Sequence, residues 1–159
     1  MLDYFKRLFQ YNAWAQERVL AALEKMESGI RDEKAIKTAG HILLASRLWL
    51  NRLAGKANID MAQNLSLVQC RALFEELKPE WKAYLENLSE SKLSEKASYK
   101  VTEGKVFENV ISDALTHLVN HSTYHRGQIA TFIKRSGGEV PNTDFIAFAR
   151  VSLKGDTPS

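Results

Sequence analysis

Three of the four histidines in this chain, His117, His121 and His125, recur at every fourth residue in the stretch HLVNHSTYHRGQ. Imidazole is the side chain best suited to two kinds of chemistry near neutral pH: proton transfer and ligation of divalent metals. At about 100° per residue on a helix, taking His121 as zero places His125 at about +40° and His117 at about −40°. Ala114 and Phe132 fall at about +20°, Phe107 at about +40°, Leu118 at about +60°, and Ile111 and Ile129 at about +80°. On this reckoning His121 and His125 lie within the core-facing stripe and His117 at its edge. Each buried histidine needs a polar partner. One divalent ion would satisfy both, because imidazoles at i and i+4 project from adjacent turns in the same direction.

Such a pair needs a third ligand from elsewhere, and His41 is the remaining histidine. Its wheel neighbours Leu44, Ala45 and Leu48 turn it inward as well. Three protein ligands leave coordination positions open to water or substrate. Imidazoles suit zinc, nickel, copper or iron, so the residues alone do not choose a metal. The competing reading is three core histidines, each satisfied by its own hydrogen bond.

The elements that must position these residues are helical. Phe5, Leu8, Phe9, Ala15, Val19, Leu23 and Met26 give a first helix over 4–27, stopped at Ser28-Gly29. A second runs over about 35–54 with Gly55 beyond it. It is apolar on several sides, which predicts contact with more than one neighbour or with a partner chain. Ser66 and Gln69 have capping-box spacing and open a third helix from Leu67 to about Leu88, in which Pro79 should produce a kink. Alternating residues on either side of Glu103-Gly104 suggest a short hairpin. The fourth helix is expected from Phe107 to Arg135, closed by Gly137-Gly138, with a mostly irregular tail ending in one last turn. These elements predict an all-α protein, a single four-helix-bundle domain over 1–159.

The segments YNAWAQERVL (11–20), HILLASRLWLNRL (41–53), EGKVFENVISDALTHLVNHSTYHRGQI (103–129) and PNTDFIAFAR (141–150) resemble the DinB family of four-helix metalloproteins over nearly the whole chain. The stretch ending His-Arg-Gly-Gln is the most specific part. The resemblance implies an up-up-down-down bundle, often a homodimer, with a divalent ion of the nickel or zinc type on three histidines. Carried onto matching positions, the ligands are His41, His121 and His125. Family members often carry an acidic residue about five positions after the histidine of the second helix, where this chain has Ser46. Related members of the superfamily include transferases and isomerases that use a low-molecular-weight thiol as cosubstrate.

Two functions follow as expectations. One is a metal-dependent enzyme, a small-thiol S-transferase or hydrolase-like relative acting on a small electrophile, with His117 and Tyr124 as candidate catalytic groups. The other is a non-catalytic, metal-stabilised stress-related or interaction protein. Gln128 points inward one turn beyond His125 and is placed to orient a ligand or to hold a water. Arg126, at about +140°, points away from the metal face and suits an interface or a salt bridge. Lys37 and Arg52 flank the His41 face and could meet an anionic cosubstrate. Asp144 suits a cap or tether, and Trp14, Trp49 and Trp81 suit core or interface positions.

Cys70 is the sole cysteine, which excludes an intrachain disulfide and fits a reducing cytoplasm; at an apolar position it reads as structural filler. Any nucleophilic thiolate would therefore come from a cosubstrate. The net charge of +3, from 22 basic and 19 acidic residues, is spread without a basic block, so no nucleic-acid partner is expected. The N-terminus mixes charge into its apolar residues from the third position, unlike a signal peptide or a membrane span.

Overall fold

The computed structural model describes residues 1–101 and 104–150; Glu103, expected at the hairpin turn, and residues 151–159 fall outside. Four long helices, α1 (Leu2–Lys25), α2 (Glu33–Leu53), α3 (Leu67–Glu86) and α4 (Ile111–Arg135), enclose one apolar core in which Leu20, Leu23, Leu115, Leu118 and Ile129 are fully buried. A single 3-10 turn (Ser91–Ser94) and a two-stranded hairpin, β1 (Lys96–Lys100) with β2 (Val106–Val110), link α3 to α4. The strands pair antiparallel from Lys96 with Val110 to Lys100 with Val106. A short α5 (Phe145–Ala149) forms the turn expected in the tail. No helix among the described residues is long and apolar enough to cross a membrane.

Helix ends follow their local chemistry. The Asp32 carboxylate caps α2 by accepting from the Lys34 amide at 2.8 Å. Ser66 and Gln69 form the expected capping box, the hydroxyl accepting from the Gln69 amide at 3.3 Å and the Gln69 side-chain oxygen from the Ser66 amide at 2.9 Å. Pro79 lies inside α3, which continues through it to Glu86. After α4, Gly137 adopts φ +75°, a left-handed conformation that favours glycine. A Cβ on Gly138 would meet Ile133 and Met26 at 2.9 Å, so the chain turns back against the core there.

The helix directions differ from the up-up-down-down order that the family resemblance implies. Arg71, at the start of α3, pairs with Glu17 and Glu24 late in α1, each at 2.8 Å, while Glu90 just beyond α3 meets the N-terminal amine of Met1 at 2.8 Å. These helices are therefore antiparallel. Gly40 of α2 approaches Cys70 early in α3, and Arg47 further along pairs with Glu76 and Glu80, so α2 and α3 are parallel. Trp49 late in α2 meets His117 early in α4, and His41 meets His125, so that pair is antiparallel. The order is up-down-down-up, with a single long crossover between α2 and α3. α1 and α2 face each other diagonally, as do α3 and α4.

One expected boundary changes. The fourth helix begins at Ile111, not Phe107: residues 106–110 are drawn into β2, and Phe107 is exposed on the hairpin. The broadly apolar α2 meets more than one neighbour, as expected, packing against α3, α4 and β1. The capping box supplies a direct test. Ser66→Ala should lower the unfolding free energy by about 1 kcal/mol, measured by urea denaturation with an unchanged m-value.

Candidate metal centre

α2 and α4 form the closest helix pair of the bundle, and the site lies where their facing edges meet. α4 buries Ile111, Ala114, Leu115, Leu118, Val119, Ser122, Arg126, Ile129 and Ile133. That stripe is centred about 100° round from His121. His121 and His125 therefore stand at its margin, half-buried, and not within it as the wheel centred on His121 suggested. His117, one turn earlier, is exposed. The marginal position has a chemical consequence: the imidazoles reach the α2/α4 seam yet remain approachable from solvent.

Across that seam His41 is also half-buried. Its Nε2 lies 3.1 Å from Nε2 of His121, and its ring centroid lies 5.0 Å from that of His121 and 4.8 Å from that of His125. One ring nitrogen from each of His41, His121 and His125 lies within 4.8 Å of the others. Two nitrogens held at about 2.0–2.1 Å from a common ion lie no more than about 4.2 Å apart. The His41–His121 pair meets that limit, and the third donor needs only a small approach.

The protonation states suit ligation as well. Burial, and then its neighbours His125, His41 and His117, lower the His121 pKa to about 4. Burial, followed by His125, also lowers that of His41. Nδ1 of His125 lies 2.7 Å from Oε1 of Gln128. An amide oxygen only accepts, so Nδ1 carries a proton, which in the neutral ring leaves the Nε2 lone pair free for a metal. Gln128 thus holds His125 in one tautomer, as the sequence suggested it could. Nδ1 of His121 is buried without a partner among the described residues. Whichever nitrogen of this neutral ring carries the proton, Nδ1 remains unsatisfied. Converging imidazoles, two of them with the charged form disfavoured and one incompletely hydrogen-bonded, fit a divalent metal better than they fit a self-satisfied core.

Around the cluster stands an aromatic wall. Trp49 packs edge-on against His117 at 5.5 Å and Tyr99 at 5.3 Å. Arg52 lies over both rings, 5.0 Å from Trp49 and 4.2 Å from Tyr99, and its Nε donates to Asn58 at 3.2 Å. Burial lowers the Arg52 pKa. Tyr99 belongs to the hairpin, and sequence reading did not place it here; the period-two pattern of β1 was its one signal. Tyr124 is exposed and packs edge-on against His125 at 5.1 Å.

The remaining candidates lie elsewhere. Lys37 is exposed. Ser46, where relatives often carry a carboxylate, is buried and accepts from the Trp81 indole at 2.8 Å, on a different face of α2. Cys70 is fully buried, and burial pushes its thiol up to about 11. Asp144 precedes α5, but its side chain makes no capping bond. Trp14 packs against Tyr11 and Phe148.

Arg126 corrects its expectation most clearly. It is 2% exposed, and no carboxylate pairs with it among the described residues. Its guanidinium donates to Oδ1 of Asn12 at 2.6 Å and Oγ1 of Thr123 at 2.8 Å, and reaches the Tyr11 hydroxyl at 3.4 Å. The direction that the wheel assigned to it, well away from the histidines, turned out to be the core facing α1, and not a surface.

The DinB family model matches residues 1–156. The chain is similar to Protein DinB of Bacillus subtilis (strain 168), at 23% identity over 162 residues, covering 91% of this chain and 93% of that protein. Its fold is similar to the crystal structure of a DinB-like protein from Bacillus cereus ATCC 10987, with a TM-score of 0.60 and 18% identity over 87% of this chain and 94% of that one.

The lowered pKa of His121 predicts the pH dependence of the metal-free protein. Between about pH 6.5 and 4 the unfolded chain binds a proton at this position that the folded chain refuses. Stability should therefore be full above the unfolded value and fall with pH across this window. Thermal unfolding in the presence of chelator should show this slope, reduced in His121→Ala.

Proposed function

This chain belongs to the DinB family, and from that premise we propose that it is a divalent-metal protein whose ligands are His41, His121 and His125, acting as a metal-dependent enzyme. The observation that carries the reading is the convergence of one ring nitrogen from each histidine within 4.8 Å, with two of them 3.1 Å apart across α2 and α4. All three donors are imidazoles, which suits nickel or zinc, and no carboxylate joins the set among the described residues. When bound, such an ion keeps its double positive charge and lowers the pKa of a water or thiol placed on it.

The chain's own residues favour a small-thiol S-transferase acting on a small electrophile. Cys70 is sealed in the core, with its thiol pushed away from the thiolate, so the nucleophilic sulfur comes from a cosubstrate. His117, exposed and with its ring 5.6 Å from that of His121, is placed to accept the thiol proton on a ring nitrogen. Tyr124 offers a solvent-facing hydroxyl beside His125 for orienting the electrophile. Trp49 and Tyr99 give the substrate an apolar surface that excludes water, and the Arg52 cation on those rings attracts an anionic group.

Elemental analysis of tag-free protein purified without chelators should give near-stoichiometric nickel or zinc, lost in His121→Ala. Absence of metal, with no uptake when either ion is offered, would return the histidines to a packing role. Gln128→Leu should retain the site but weaken metal affinity by about 10–100-fold, read by competition with a chromogenic chelator. Turnover of a small electrophile with a low-molecular-weight thiol should vanish on chelation and return with metal. His117→Ala should slow that turnover while leaving the bound metal in place.

A further inference from the structure

A cleft of about 560 Å³ opens between α1 and α3, floored by α2. It shares no lining residue with the three histidines and faces away from them. Its walls are apolar, formed chiefly by Phe9, Ile42, Phe74, Leu77 and Trp81, and its volume is that of a site for a small organic molecule. The buried polar groups of Ser46 and Trp81, and the Asn12 oxygen, are already matched: the Trp81 indole N–H donates to Ser46, and Oδ1 of Asn12 accepts from Arg126.

Gln16 is the exception. It lines the cleft at 3% exposure, and neither its amide nitrogen nor its amide oxygen has a hydrogen-bond partner among the described residues. A primary amide has two donors and an acceptor in one plane, and leaving both ends unmatched inside a protein is a standing cost of folding. The group that removes this cost presents a donor and an acceptor side by side: another amide, a lactam or an un-ionised carboxylic acid.

The rim decides the charge of such a molecule. Lys6, Lys78 and Lys82 border the cleft, and each lies within ion-pair distance of a carboxylate on its own helix: Asp3 at 3.9 Å, Glu75 at 3.4 Å and Glu86 at 3.8 Å. The rim charge is thus largely balanced, and the walls hold no buried counter-charge for an ion. We propose that this cleft is a second binding site, taking a small neutral molecule with a flat apolar body and an amide-like edge that pairs with Gln16. The inference is independent of the metal centre and holds for the metal-free protein.

The test is calorimetric titration of the full chain with 1-naphthamide and, for comparison, 1-ethylnaphthalene, with quenching of tryptophan emission reporting contact with Trp81. The amide should bind saturably, one per chain, about tenfold tighter than the hydrocarbon. Gln16→Leu keeps the side-chain volume and removes the unmatched amide, so it should fold at least as well as the parent and bind both probes equally. Ala13→Trp, which fills the cleft from α1, should abolish both. Equal affinity for the two probes in the parent, a preference that survives Gln16→Leu, or no saturable binding would each overturn the proposal. So would sedimentation showing a dimer that Ala13→Trp dissociates, because the cleft would then belong to a second copy of the chain.

Discussion

Two imidazoles 3.1 Å apart on different helices set the constraint on which the candidate site depends. If both were protonated they would repel each other strongly in a half-dry seam, and His125 would add to the repulsion. The folded state therefore disfavours the charged forms of His41 and His121, and the low pKa of His121 records that requirement. Everything that brings α2 and α4 together must work against the tendency of this cluster to protonate and separate. The apolar face of α4, from Ile111 to Ile133, supplies that force, and the histidines ride at its border. At the centre of the stripe they would have been more costly to bury and closed to solvent. At the border they are partly desolvated and still open enough to be reached.

Much of this was legible in the sequence because it depends on short-range periodicity. The four-residue histidine spacing, the Ser66–Gln69 box, the paired glycines after α4 and the inward bias of His41 are all local patterns, and each appears where the pattern put it. What the sequence hid depends on partners distant along the chain. Periodicity gives a helix a face but no direction, so the up-down-down-up order emerged only from contacts such as Arg71 with Glu17 and Glu24. Phe107 fits a helical wheel and a strand equally well, and pairing with Tyr99 across the hairpin decides for the strand. A wheel centred on the histidines drew the core stripe too close to them, whereas the buried face of α4 is centred about 100° round from His121.

The same misplacement concealed Arg126, since a charged residue away from the metal face reads as surface. Its burial instead links three elements. The guanidinium bonds Asn12 and reaches the Tyr11 hydroxyl on α1, and that hydroxyl donates to the Thr143 carbonyl at 2.9 Å. Tyr11 also packs edge-on against Phe145 of α5. The C-terminal segment is thereby tied through α1 to the turn of α4 that carries His125.

His125 and Arg126 are consecutive, so their side chains diverge by about 100° around α4. One faces α2 and the other faces α1. A rotation of α4 that moved His125 out of the cluster would also carry the guanidinium away from Asn12, leaving a buried charge without its acceptors. Arg126 thus opposes the rotation that repulsion among the histidines would favour. Gln128, two residues on, limits the remaining freedom of the His125 ring itself. Helix and ring are each restrained by a separate polar contact, the kind of support that keeps a ligand set in place before any ion arrives. The His-Arg-Gly-Gln segment thus presents its groups on two faces of one helix, about 100° apart. Its histidine belongs to the three-histidine cluster, its arginine fixes the angle at which that histidine is presented, and its glutamine holds the ring.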